Sequence, residues 1–345
     1  MALIPATILT GFLGAGKTTL LNRILQEPHG LRIAVIENEF GAENIDNEIL
    51  LHDSSEQIVE MNNGCICCTV RGDLITGLSN LADKRAAGEL QFDRIIIETT
   101  GLANPGPVAQ TFFVDDAVAS HYMLDAVITV VDAKHAMQQL DAHEEAQRQI
   151  GFADRILISK TDLVSPDDID VLKARIKNIN PRAPIGAADF GKSPISDILD
   201  IRGFNLNDKL EIDPAFLAES VQHKHDELEP VHDDNCQHED HHHAHHTDDI
   251  RAFVFKSQRP FDTARLDDFL GGLVQVYGPR MLRYKGVLAM AGAERKVLFQ
   301  GVHQIMGSDI GARWPEGEIR ESKMVFIGKN LPEALFIRGL EQCLV

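Results

Sequence analysis

The sequence predicts an α/β fold, a mostly parallel sheet with helices on both faces, followed by a smaller C-terminal α+β domain. Three observations carry that prediction. Short β-branched runs alternate with helix-length stretches, a glycine-rich turn follows the first of those runs, and the composition breaks between His223 and Asp249.

The runs at 6–9, 33–36, 57–61, 94–97, 126–131 and 155–158 are short and rich in Ile and Val, as strands buried on both faces require. Between them, 17–26, 73–84 and 135–150 have the length of crossover helices. The opening stretch 1–12 is apolar but lacks a basic start and a small-residue cleavage site, so it reads as a first strand. No apolar run approaches the roughly eighteen residues of a spanning helix, so a soluble chain is expected.

From 223 to 249, nine histidines and nine carboxylates are interspersed with almost no apolar residue, and Cys236 sits among them. Such a stretch buries too little apolar surface to offset its ordering entropy. The sequence therefore divides into an α/β domain at 1–205, an acidic His-rich mobile linker at 206–249 and an α+β domain at 250–345. In the last, strands are expected at 251–255, 282–290, 296–305 and 323–327, with helices at 261–276 and 332–343.

The formal charge is −19, which disfavours nucleic acid and anionic membranes because both are held by a positive face. Of five cysteines, three crowd into Cys65-Ile66-Cys67-Cys68, unlike the spaced pairs of a disulfide framework. Free thiolates in a reducing, cytoplasmic compartment are expected.

Gly11-Phe12-Leu13-Gly14-Ala15-Gly16-Lys17-Thr18 is a complete phosphate-binding loop, placed between a strand and a helix start that includes Thr19. Its glycines let backbone N–H groups converge on phosphate oxygens, and the helix N-terminus adds its dipole. Lys17 brings a point charge to the β- and γ-phosphates, and Thr18 a hydroxyl to Mg²⁺. The fold expected is thus that of a P-loop NTPase. Glu98, after three isoleucines and before Thr99-Thr100-Gly101, is the candidate catalytic or metal-water carboxylate, the alternative being a carboxylate that only ends its strand.

Ser159-Lys160-Thr161-Asp162 follows the run 155–158. A carboxylate there accepts the N1 and N2 hydrogens of guanine, which adenine lacks, while the lysine stem packs on the base. Asp162 is the expected selector of GTP. Serine at the first position predicts a weaker tie to the loops than the more usual Asn or Thr.

Three thiols within four residues offer soft ligands to one thiophilic ion, zinc or another, and Cys65, Cys67 and Cys68 stand between a strand and a helix where ligands bind in open α/β sheets. Buried hydrophobes or a redox pair are the alternatives. Glu37 and Glu39, after the second strand, emerge on the same edge as further ligands or as part of a switch loop.

Together the glycine-rich loop, Glu37-Asn38-Glu39-Phe40-Gly41, Asn63-Gly64-Cys65-Ile66-Cys67-Cys68, Glu98-Thr99-Thr100-Gly101 and Ser159-Lys160-Thr161-Asp162 resemble the CobW family of P-loop GTPases. The resemblance extends to Leu282-Arg283-Tyr284-Lys285-Gly286 and Leu298-Phe299-Gln300-Gly301. It implies slow GTP hydrolysis and a metal chaperone or insertase, for zinc or cobalt, serving a metal-requiring client protein. A His-rich segment, common in such chains, stores or hands off metal in this reading. The rivals are a non-catalytic metal buffer, an activator for cobalt-cofactor synthesis and an ATP-dependent kinase or ligase. Whether the chain forms a homodimer is left open.

Overall fold

The computed structural model describes residues 3–37, 58–60, 69–204, 248–317 and 319–345. Its first sheet contains β1 (Ile4–Gly11), β2 (Ile33–Glu37), β3 (Ile58–Glu60), β4 (Arg94–Glu98), β5 (Tyr122–Asp132), β6 (Arg155–Ser159) and β7 (Ile185–Ala187). The order is β3-β2-β4-β1-β5-β6-β7, and every pairing is parallel. Parallel neighbours need crossovers, supplied by α1 (Lys17–Gln26), α2 (Thr69–Ala86), α3 (Pro105–Val114), α4 (Asp116–His121), α5 (Ala136–Ala142), α6 (Glu144–Phe152) and α7 (Pro166–Ile179).

Alternate strand residues serve the two faces. Leu9, Val35, Ile96, Ile128 and Leu157 bury against Leu20, Leu21 and Ile24 of α1. Ile8, Ile36, Ile95, Ile97 and Ile156 face the opposite layer, with Leu78 of α2, Val108 of α3, Ile150 of α6 and Ile176 of α7. Helix starts follow local chemistry. The Asn104 side chain accepts the Gly106 N–H at α3, and Ser165 and Asp168 form a reciprocal capping box at α7.

The second sheet is antiparallel, in the order β11-β10-β9-β12-β8. Its strands are β8 (Ile250–Ser257), β9 (Met281–Leu288), β10 (Arg295–Val302), β11 (Ile305–Arg313) and β12 (Ser322–Lys329), and α8 (Thr263–Tyr277) and α9 (Glu333–Gln342) complete the domain. Phe253, Phe326 and Phe336 fill a core between sheet and helices. A separate apolar contact joins the two domains: Ile250, Leu282, Val302, Val325 and Ile327 share one cluster with Ile150 and Phe152.

Two expectations are corrected. The single helix at 135–150 is two, because His143 is extended, at φ −133° and ψ 117°, and its ring lies 4.7 Å from that of Phe12 in the glycine-rich loop. The single strand at 296–305 is a hairpin: Val302 pairs with Ile305, and His303 turns the chain at φ 53°. Such tight turns are usually announced by Asn-Gly, which is absent here. The expected linker at 206–249 falls almost wholly outside the described residues.

Candidate functional site

β1 ends at Gly11 and α1 begins at Lys17, so residues 12–16 form the turn. Gly16 caps the helix at φ 97°, a left-handed conformation that favours glycine. Lys17 is buried, and its Nζ donates to the Gly11 carbonyl at 3.0 Å, which curls the ammonium back over the turn. Thr18 and Thr19 are exposed at the helix start. The Thr18 hydroxyl donates to Glu98 Oε1 at 3.1 Å.

Glu98 is the last residue of β4, between Leu9 of β1 and Glu37 of β2. The segment after it lies directly on the turn. A Cβ on Gly101 would stand 2.6 Å from the Leu13 nitrogen, so only glycine allows this approach. Gln149 of α6, buried, holds the same segment by donating to the Gly101 and Ala103 carbonyls, both at 3.1 Å. Thr99 and Thr10 join the two strand ends through their hydroxyls at 2.8 Å.

The other side is built on β5 and β6, where Asp132 is in register with Ser159. The Ser159 hydroxyl donates to the Ala15 carbonyl at 2.6 Å, so the weak tie expected of serine is corrected: with β6 this close to the turn, the short side chain reaches. Lys160, at φ 58°, sends its Nζ to the Gly14 carbonyl at 2.8 Å and to Asp132 Oδ2 at 2.7 Å. Asp132 also receives the His135 ring nitrogen at 2.8 Å and the Lys134 N–H at 2.9 Å. Burial pushes the Asp132 carboxyl up, but these partners outweigh it and hold it below its ordinary value. Asp162 is exposed one residue beyond Thr161, whose N–H donates to Asp189 Oδ1 at 2.7 Å.

Asp132, Gln149 and Asp189 were not singled out from the sequence. Asp132 had the signal Glu98 had, a carboxylate directly after a β-branched run. Gln149 had none, because its role depends on which helix covers the turn.

Glu37 ends β2, paired in register with Glu98 on one side and Glu60 on the other. Cys65, Cys67, Cys68 and Glu39 lie outside the described residues, and among those described no group of three or more His, Cys, Asp or Glu could hold a metal ion.

The CobW/HypB/UreG nucleotide-binding domain matches residues 5–186, and the C-terminal domain of the cobalamin synthesis protein cobW matches 250–344. The chain belongs to the CobW family. Within it, this CobW-family chain is 39% identical over 331 residues to the zinc chaperone YjiA of Escherichia coli (strain K12), covering 96% of this chain and 95% of that protein. It is 42% identical over 208 residues to the zinc-regulated GTPase metalloprotein activator 1 of Schizosaccharomyces pombe, covering 58% of this chain and 50% of that one. The crystal structure of Zn(II)-bound YjiA GTPase from E. coli superposes over the full length of both chains, with a TM-score of 0.77 at 32% identity.

Proposed function

We propose that this chain is a GTPase that uses GTP hydrolysis to take up and release a transition metal, zinc in the first instance, and passes it to a metal-requiring client protein in the cytoplasm. The observation that carries this reading is the register of Glu37 beside Glu98. Glu37 ends the strand that leads to Glu39, its other neighbour Glu60 ends the strand that leads to the cysteines, and Glu98 accepts a hydrogen bond from Thr18. Neighbouring strands stand about 4.8 Å apart, so a change at one carboxylate is felt at the other.

In this reading the N–H groups of residues 14–18, with Lys17, neutralise the phosphates, and Thr19 supports the same helix start. Thr18 and Glu98 present hard oxygen donors of the kind Mg²⁺ takes, and this pair would hold it directly or through water. Bound there, the ion supplies positive charge to the γ-phosphate. Glu98 is the favoured group to orient the attacking water. Asp162 selects guanine, Lys160 lies along the base, and Ser159 ties that turn to the phosphate loop. Cys65, Cys67 and Cys68, with Glu37 and Glu39, form the cargo site, whose soft thiolates suit zinc and also admit cobalt.

The test is reciprocal linkage: if GTP tightens metal binding, metal tightens GTP binding by the same factor. Zinc and cobalt affinities, read by competition with a chromophoric chelator, should rise with a non-hydrolysable GTP analogue and fall with GDP. Equal affinities in the two nucleotide states would refute the coupling. No described helix is long and apolar enough to cross a membrane.

A further inference from the structure

Phe190 occupies a three-residue turn, Asp189–Gly191, that follows β7. Its φ is 52°, a conformation that bulky residues rarely adopt, and the residue is 75% exposed. It belongs to none of the three apolar cores formed by the described residues. A large apolar side chain held in water by strained backbone needs a reason.

The rest of the turn is anchored on every side. The Ala188 N–H donates to the Ile158 carbonyl at 2.8 Å, continuing the edge of β6. The Asp189 carboxylate accepts from the Thr161 N–H at 2.7 Å and from the Thr161 hydroxyl, one residue from Asp162. Gly191 backs onto α1, where a Cβ would lie 2.8 Å from the Thr19 carbonyl. The turn therefore bridges the Ser159–Asp162 turn and the first turn of α1. Phe190 is the one residue in it whose side chain has no part in holding it.

We propose that Phe190 is the aromatic wall of the base site, stacking on the guanine ring opposite the Lys160 stem. The inference rests on the guanine reading of Asp162. A purine is planar with two π-faces, and Lys160, fixed to Gly14 and Asp132, covers one of them. An aromatic ring preset at the Asp162 side covers the other without the entropy cost of ordering it on binding.

Glycine at 190 separates binding from folding, because glycine is at home at this φ. In the full chain, Phe190→Gly is expected to keep or raise the Tm of the nucleotide-free protein while weakening GDP about tenfold by calorimetry. Phe190→Leu, apolar but without a π-face, should also weaken GDP. The chain has one tryptophan, Trp314. In a Trp314→Phe background, Phe190→Trp should restore affinity, and its emission should be quenched at saturating GDP. GDP affinity within about twofold of wild type for Phe190→Gly, or unchanged tryptophan emission, overturns the proposal. Wild-type protein that takes ADP as tightly as GDP removes the guanine reading but not the wall, which the loss of either diphosphate in Phe190→Gly would still support. Wild-type protein that binds neither overturns both.

Discussion

At the amino ends of the parallel strands, Arg94 stands 2.6 Å from Asp125, and Asp154 receives Arg283 at 2.6 Å and Arg182 at 3.2 Å. At the carboxyl ends, Lys17 reaches the Gly11 carbonyl, Lys160 the Gly14 carbonyl as well as Asp132, and Glu98 accepts from the Thr18 hydroxyl. The same side-chain types do different work at the two ends. Asp154 is saturated by arginines and by the Val127 N–H, and the β9 residue Arg283 donates onward to the Phe152 and Gly203 carbonyls, so this node joins the domains. Burial pushes the Asp154 carboxyl up, and the two arginines more than reverse it. At the other end Lys17 donates to the neutral Gly11 carbonyl, from which an incoming phosphate can draw it, while Lys160 divides its ammonium between the Gly14 carbonyl and Asp132. Charge that is fully paired builds structure, whereas charge lent to turns can be redirected to a ligand.

The sharpest way to break this contrast is at Lys17. Lys17→Ala should lower phosphate release from GTP by at least about 100-fold while leaving the thermal unfolding midpoint nearly unchanged. A large loss of stability would mean that the carboxyl end is structural after all. Next in size is Asp154→Ala, which leaves Arg283 buried without its carboxylate and should cost about 3–5 kcal/mol in urea denaturation. If residual GTPase per folded molecule falls as steeply as stability does, the two ends are not separable.

Asp132→Asn sits between the extremes, since Asp132 is buried like Asp154 but pairs with Lys160. It should raise the GDP Kd about tenfold, mainly through faster release, measurable with a fluorescent analogue. The smallest effect is expected at the amino end. Arg32 hydrogen-bonds the Asp93 carboxylate and holds it down at about 2. A depressed carboxyl contributes stability that is present above its unfolded value near 4 and is lost as pH falls toward about 2. Asp93→Asn should therefore flatten acid unfolding between about pH 4 and 2 and lower stability at neutral pH by the same amount, a small one because this pair is solvent-screened. An unchanged acid limb would show that other carboxylates carry it.

Much of the α/β half was legible because its signals are local. The stretch 17–26 coincides with α1, since Gly16 and the apolar spacing of Leu20, Leu21 and Ile24 mark its start and its buried face. The strands at 33–36 and 94–97 each extend by one residue, to Glu37 and Glu98, because a strand end can carry a carboxylate into the loop region. β11 was not read, because its burial is too irregular to alternate and its turn is made by His303 rather than glycine. Asp189 went unnoticed because its importance lies in reaching Thr161, which is 28 residues away in the chain.

The sequence by itself determined which chemical groups the chain carries: a glycine-rich turn with Lys17 and Thr18, carboxylates at strand ends, the Ser159–Asp162 turn and a cysteine triplet. Those features depend on neighbours within a few residues, where spacing and side-chain type suffice. Only the tertiary structure decided that Glu37 stands beside Glu98, that Gln149 clamps the segment after it, and that Asp189, next to Phe190, holds Thr161. Strand order and the choice of covering helix are set by burial summed over the whole core, so contacts between distant residues exist only once that core has closed.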